Sequence, residues 1–148
     1  VMIGALDVAN YFLSLCDENA GDLISNLKLQ KLLYYAQGFR LALSNGPLFD
    51  DPIEAWTHGP VVPTVYHAFK KHGSNALPAP ENLDLSVFDD GTKSHLDEVY
   101  KVYGQFSAWK LANMTHEEPP WKDMAATKGV ISHDALKRYF KTQVSDEA

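Results

Sequence analysis

Two strings in this chain hold the side chains best suited to chemistry: Thr57-His58-Gly59-Pro60 and Thr115-His116-Glu117-Glu118-Pro119-Pro120-Trp121. Brought together, His58 and His116 with Glu117 or Glu118 have the donor types for a divalent metal or an acid–base pair. Neither H-E-x-x-H nor any histidine pair at i, i+4 occurs, so no helix face presents two ligands. The simpler reading has each imidazole bonded to a helix end or loop carbonyl at a junction. Ser107-Ala108-Trp109-Lys110 fits the S-x-x-K pattern of serine acyl-transferases. The companion S-D-N and K-T-G strings are missing, and Ser107 stands where a helix must begin, so N-capping accounts for it. No G-x-G-x-x-G and no P-loop occurs. The residues therefore assign no catalytic, cofactor or metal site, and the chain reads as a non-enzyme.

The most telling element is Lys28-Leu-Gln-Lys-Leu-Leu-Tyr-Tyr-Ala-Gln-Gly38. At 100° per residue, Leu29, Leu32, Leu33, Ala36, Phe39 and Leu43 share one arc, while Leu27, Tyr34 and Leu41 form a second apolar line. Gln30, Gln37 and Ser44, with Arg40 near them, lie in one gap, and Lys28 and Lys31 occupy the other. A helix apolar on two sides sits between other helices, so its polar groups need partners. They either satisfy neighbouring loops or bind a partner. Trp56, Trp109 and Trp121 read as core anchors whose indole N–H groups find acceptors.

The elements that carry these residues are mostly helical. Gly4 and Asp7 start a first helix over about 5–17, and Asn19-Ala20-Gly21 ends it. Ser25 or Asn26 caps the central helix, which Asn45-Gly46-Pro47 stops. Leu48-Phe49, an Asp50-Asp51-Pro52 turn and Ile53–Trp56 suit a short hairpin or two extended segments. The Gly59–Pro63 run opens a helix ending at Gly73. A long Pro/Asp-rich loop over 74–91 follows, with the alternating Leu83, Leu85 and Val87 as one extended piece. Further helices begin before Leu96, at Ser107, at Pro119-Pro120 and at Ser132, and the Ser145–Ala148 tail frays. The fold class is mainly α: a single compact bundle of about seven helices, with at most a short hairpin around residues 48–56. Residues 1–148 form one domain.

Composition narrows the function. The 148 residues suffice to bury roughly two-thirds of the extended surface. A net charge of −6 argues against nucleic acid as a partner, since such binding relies on Lys and Arg neutralising phosphates. The basic groups His67, Lys70, Lys71 and His72, and Lys137, Arg138 and Lys141, read as solvated faces. No apolar run spans a bilayer, no signal peptide is visible, and a lone cysteine, Cys16, allows no internal disulfide. The cytoplasm is the expected location, without a membrane partner.

The string Lys28–Gly38, followed by P-L-F-D-D-P-I-E-A-W-T-H-G-P-V-V-P and then T-H-E-E-P-P-W-K, resembles the Panacea domain of the SocA-like antitoxin family, which includes phage-associated GepA-like proteins. The resemblance runs from Asp7-Val8-Ala9-Asn10 to Tyr139-Phe140. It implies a compact helical module from a phage or mobile-element context that binds and neutralises a cognate toxin by protein–protein contact, without a cofactor. A groove holding a helical toxin segment would be the mechanism, and a cytoplasmic protease is a second partner of the same class. The alternatives are a phage-associated regulator or protease adaptor with no dedicated toxin, or a His/carboxylate hydrolase. The candidate motif or partner-binding positions are Lys28, Gln30, Lys31, Tyr34, Gln37, Trp56, His58, Gly59, Pro60, His116, Glu118 and Trp121.

Overall fold

The computed structural model describes residues 3–17, 19, 22–44 and 46–144. Helix α1 spans Ala5–Leu15, α2 Asn26–Leu43, α3 Pro63–Phe69, α4 Asp90–Tyr103, α5 Ala108–His116, α6 Pro119–Lys122 and α7 His133–Lys141. Three short strands, β1 (Ile53–Trp56), β2 (Gly59–Val61) and β3 (Val130–Ile131), form an antiparallel sheet in the order β2-β1-β3. The chain is thus mainly α with a short hairpin. Expectations placed on Ala20, Gly21, Asn45 and the tail at 145–148 lie outside the described residues.

The caps follow the sequence. Ser25, Ser107 and Ser132 accept from the backbone N–H of Lys28, Lys110 and Ala135, so α2, α5 and α7 begin where a serine meets an orphan donor. In α1 the Asp7 carboxylate accepts from the Gly4 N–H instead. Helix α2 is the axis: every residue from Lys28 to Gly38 is buried, and α7, α5, α4 and α1 pack around it. Two expected core positions differ. Leu43 is 62% exposed because α2 ends there, beyond its neighbours' reach, and Trp109 is 59% exposed.

The hairpin sits one step further along than the Asp50-Asp51-Pro52 turn suggested. Leu48 and Phe49 are buried without a strand partner because the Gln37 amide replaces one. Its Oε1 accepts from the Leu48 N–H at 2.7 Å and its Nε2 donates to the Phe49 carbonyl at 2.7 Å. Asp51 is occupied elsewhere, accepting from the Ala5 N–H and the Thr64 hydroxyl, and so ties the start of α1 to α3. The turn lies instead at Thr57-His58, with Trp56 paired to Gly59. Gly59-Pro60-Val61 pairs as a strand before α3 starts, and β3 closes the other side of β1. In the 74–91 loop the Leu85–Val87 stretch is a 3-10 turn, capped by Asp84, rather than an extended piece.

Helix α7 crosses α2 at Gly38, where an added Cβ would lie 2.2 Å from the Phe140 ring. Phe140 also meets Tyr34, Tyr35 and Phe39 edge-on. We predict that Gly38→Ala destabilises the protein by about 1–3 kcal/mol through overpacking, and that adding Phe140→Leu restores part of the loss. Urea unfolding of the single and double variants checks this, and an additive double variant would refute the contact.

Candidate functional site

The three sequence strings meet at one junction. The Lys31 side chain runs along α2, entirely buried, and its Nζ donates to the Pro60 carbonyl at 3.1 Å. Beside it the Gln30 amide accepts from the Val62 N–H at 2.9 Å and donates to the Asn26 side-chain carbonyl at 2.8 Å. Gly59 fits between α2 and α5 with φ +115°, and a Cβ there would come within 2.6 Å of Lys31 Cε and 2.8 Å of Thr115 Oγ1. Only glycine supplies both that backbone angle and that clearance. The third string closes the junction, with Trp121 Nε1 donating to the Trp56 carbonyl at 2.7 Å.

Other candidates stabilise neighbouring joints. Lys28 Nζ donates to the Gly104 carbonyl at 2.7 Å, and burial lowers its pKa. Tyr34 and Tyr35 donate to the two oxygens of Glu118 at 2.9 and 3.0 Å, with Tyr139 as a third hydroxyl partner. Burial raises the Glu118 pKa while those hydroxyls oppose the rise, and burial beside Glu118 lifts Tyr139 to about 12. Glu118 therefore bonds tyrosines of α2 and α7. The His116 ring lies 4.2 Å from that of Trp121, and its Nε2 is buried with no hydrogen-bond partner among the described residues. His58 is exposed in the turn, 5.3 Å edge-on from Trp109. Among the described residues, no group of three or more His, Cys, Asp or Glu is placed to share a metal ion. No described helix is long and apolar enough to cross a membrane.

Above the junction opens a cavity of about 680 Å³. Of the motif positions it is lined by Gln30, Lys31, Trp56 and His58. Lys28, Tyr34, Gln37, Gly59, Pro60, His116, Glu118 and Trp121 lie outside the lining. Sequence reasoning missed Tyr66, Lys128 and the role of Trp109 as an open wall. Trp109 directly follows the first residue of α5 and is exposed, with Ala108 half-buried and Lys110 exposed beside it, and nothing in the sequence marked it apart from a core tryptophan. Trp56 is held as the opposite case, its Nε1 donating to Glu54 at 2.9 Å and its ring 5.0 Å from Tyr66.

The family model described as Antitoxin SocA-like, Panacea domain, matches residues 29–122, and the chain belongs to that family. It is similar to Antitoxin SocA of Caulobacter vibrioides (strain NA1000 / CB15N), 33% identical over 117 residues, with 72% of this chain and 62% of the relative covered. The chain thus spans 62% of that relative's length. No solved structure matches it.

Burial pushes the Lys31 ammonium down from 10.5 to about 7. Below that lower value both folded and unfolded chains carry the proton, and the fold bears the full desolvation cost. Between the two values the unfolded chain binds more protons, so this group makes stability rise with pH. Lys31→Met, which keeps the volume and removes the charge, is predicted to be more stable than wild type at pH 6 by roughly 2–4 kcal/mol. The gap should close by about pH 10.5. Denaturant unfolding of both proteins across that range checks it, and a Met variant weaker at pH 6 would show that the buried charge is a net stabiliser.

Proposed function

We propose that this chain neutralises a cognate toxin by direct protein–protein contact and carries out no chemical step of its own. Family membership, with 33% identity to a protein named Antitoxin SocA, is the observation that supports this reading. The division among motif residues agrees with it. Lys31, Gln30 and Gln37 are buried and spend their hydrogen bonds on the chain's own loops, so they hold the surface in shape. His58 and Trp109 are exposed and adjacent, where a partner can reach them. Binding would cover or remodel the toxin's active surface, in the cytoplasm, with residues 1–148 acting as one domain and the toxin gene beside this one on a phage or mobile element.

Co-expression provides the test. The neighbouring gene product expressed alone should stop growth, and adding this chain should restore it and yield a complex that survives size-exclusion chromatography. A neighbour that is harmless alone and forms no complex would overturn the proposal.

A further inference from the structure

The 680 Å³ cavity has a composition unlike the rest of this acidic chain. Trp56, Trp109, Leu27 and Tyr66 give it apolar walls, and Trp109 is 59% exposed. Its basic side chains are Lys31, Lys128 and His58, each cationic only when protonated. Lys31 forms the buried floor, Lys128 and His58 stand exposed at the rim, and no described carboxylate lines it. Yet the chain as a whole has 19 acidic against 13 basic residues. Two helices also begin at the cavity, α2 through Ser25–Leu27 and α5 through Ala108-Trp109. The first N–H groups of a helix lack intrahelical acceptors and carry partial positive charge, which favours an anion there. Lys31 has three N–H groups and one acceptor within the described structure, the Pro60 carbonyl. A cavity of this volume takes a few side chains or one drug-sized group.

The geometry points to this cavity as the seat of a toxin segment that places a carboxylate beside an apolar side chain, the apolar group on Trp56 and Trp109 and the carboxylate toward Lys31, Lys128 and His58. Complementarity decides the occupant: an aromatic pocket with Lys128 at its rim, the Lys31 N–H donors at its floor, two helix N-termini and no described carboxylate is matched to an anion with an apolar neighbour. The inference rests on the antitoxin reading for the source of that segment, and on the pocket alone for its chemistry.

Two arms separate these. In the first, the chain and the co-expressed neighbouring gene product are compared as wild type, Trp109→Ala, Lys128→Glu and, at the far end of α2, Leu43→Glu. The two pocket variants should bind at least tenfold more weakly with unchanged thermal melting, and Leu43→Glu should bind as wild type. Pocket variants that neutralise like wild type would overturn this inference and leave the antitoxin reading standing. A wild-type chain that does not neutralise would overturn the antitoxin reading and the toxin as occupant. In the second arm the isolated chain is titrated with N-acetyl-leucine and with its amide while tryptophan emission is followed. The acid should change the emission at millimolar concentration, with the change lost in Trp109→Ala, and the amide should do little. Equal responses to both would overturn the carboxylate. A wild-type dimer in light scattering that Trp109→Ala dissolves would identify a second copy as the occupant and overturn the toxin segment.

Discussion

Eleven consecutive residues of α2, Lys28 to Gly38, have no exposed member, and four of them carry polar side chains that water would otherwise solvate. A buried amide or ammonium without a partner costs about 1–3 kcal/mol or more, so each must find one, and each finds it far away in sequence. Gln37 takes the backbone of Leu48 and Phe49, Gln30 the N–H of Val62, Lys31 the carbonyl of Pro60, and Lys28 that of Gly104. The central helix is therefore a template as well as a hydrophobic axis. Where its polar groups point, an irregular segment is held, and the hairpin, the strand at 59–61 and the 103–107 joint take their places from it. Long-range side-chain bonds of this kind are costly to leave half-made, which ties the loops to a single arrangement.

Much of this was legible in the sequence, for local reasons. A serine before an amphipathic run marks a helix start whatever surrounds it, and Ser25, Ser107 and Ser132 all cap. The two-sided apolar pattern of α2 identified its central position. What escaped was decided by distant partners. The hairpin moved because an amide on α2 satisfied Leu48 and Phe49, leaving them nothing to gain from a strand. The two-residue β3 has too few residues to announce itself, and exists because β1 offers it a free edge. Trp109 reads as core by residue type and is exposed because it stands in the first turn of α5, on the open wall of the cavity. Of the candidate site, the residue types were visible, but their sorting into supports and open surface was not, since that depends on which neighbour each side chain meets.

The family match and the core have different limits. The matched span, 29–122, contains the three strings apart from Lys28, but stops before β3 and α7 and starts after α1. Those outer elements complete the hydrophobic core nonetheless: Phe12 and Leu13 from α1, Ile131 from β3, and Leu136 and Phe140 from α7 are all buried. The recognisable part is the junction, where hydrogen-bond geometry restricts residue type; the surrounding apolar shell needs only hydrophobic residues of about the right size. Tyr34 and Tyr35, which bond Glu118 and also meet Phe140, join the two regimes.

The seat of Phe140 against Gly38 lies about a hundred positions of chain after the helix it covers. A ribosome that has made α2 through α6 has therefore made a template whose closing side chain is not yet synthesised. Until α7 emerges, the rings of Tyr34, Tyr35 and Phe39 lack their Phe140 neighbour, and Tyr103 of α4 covers only part of them. Completion of this part of the core thus waits until α7 has been made and docked against α2.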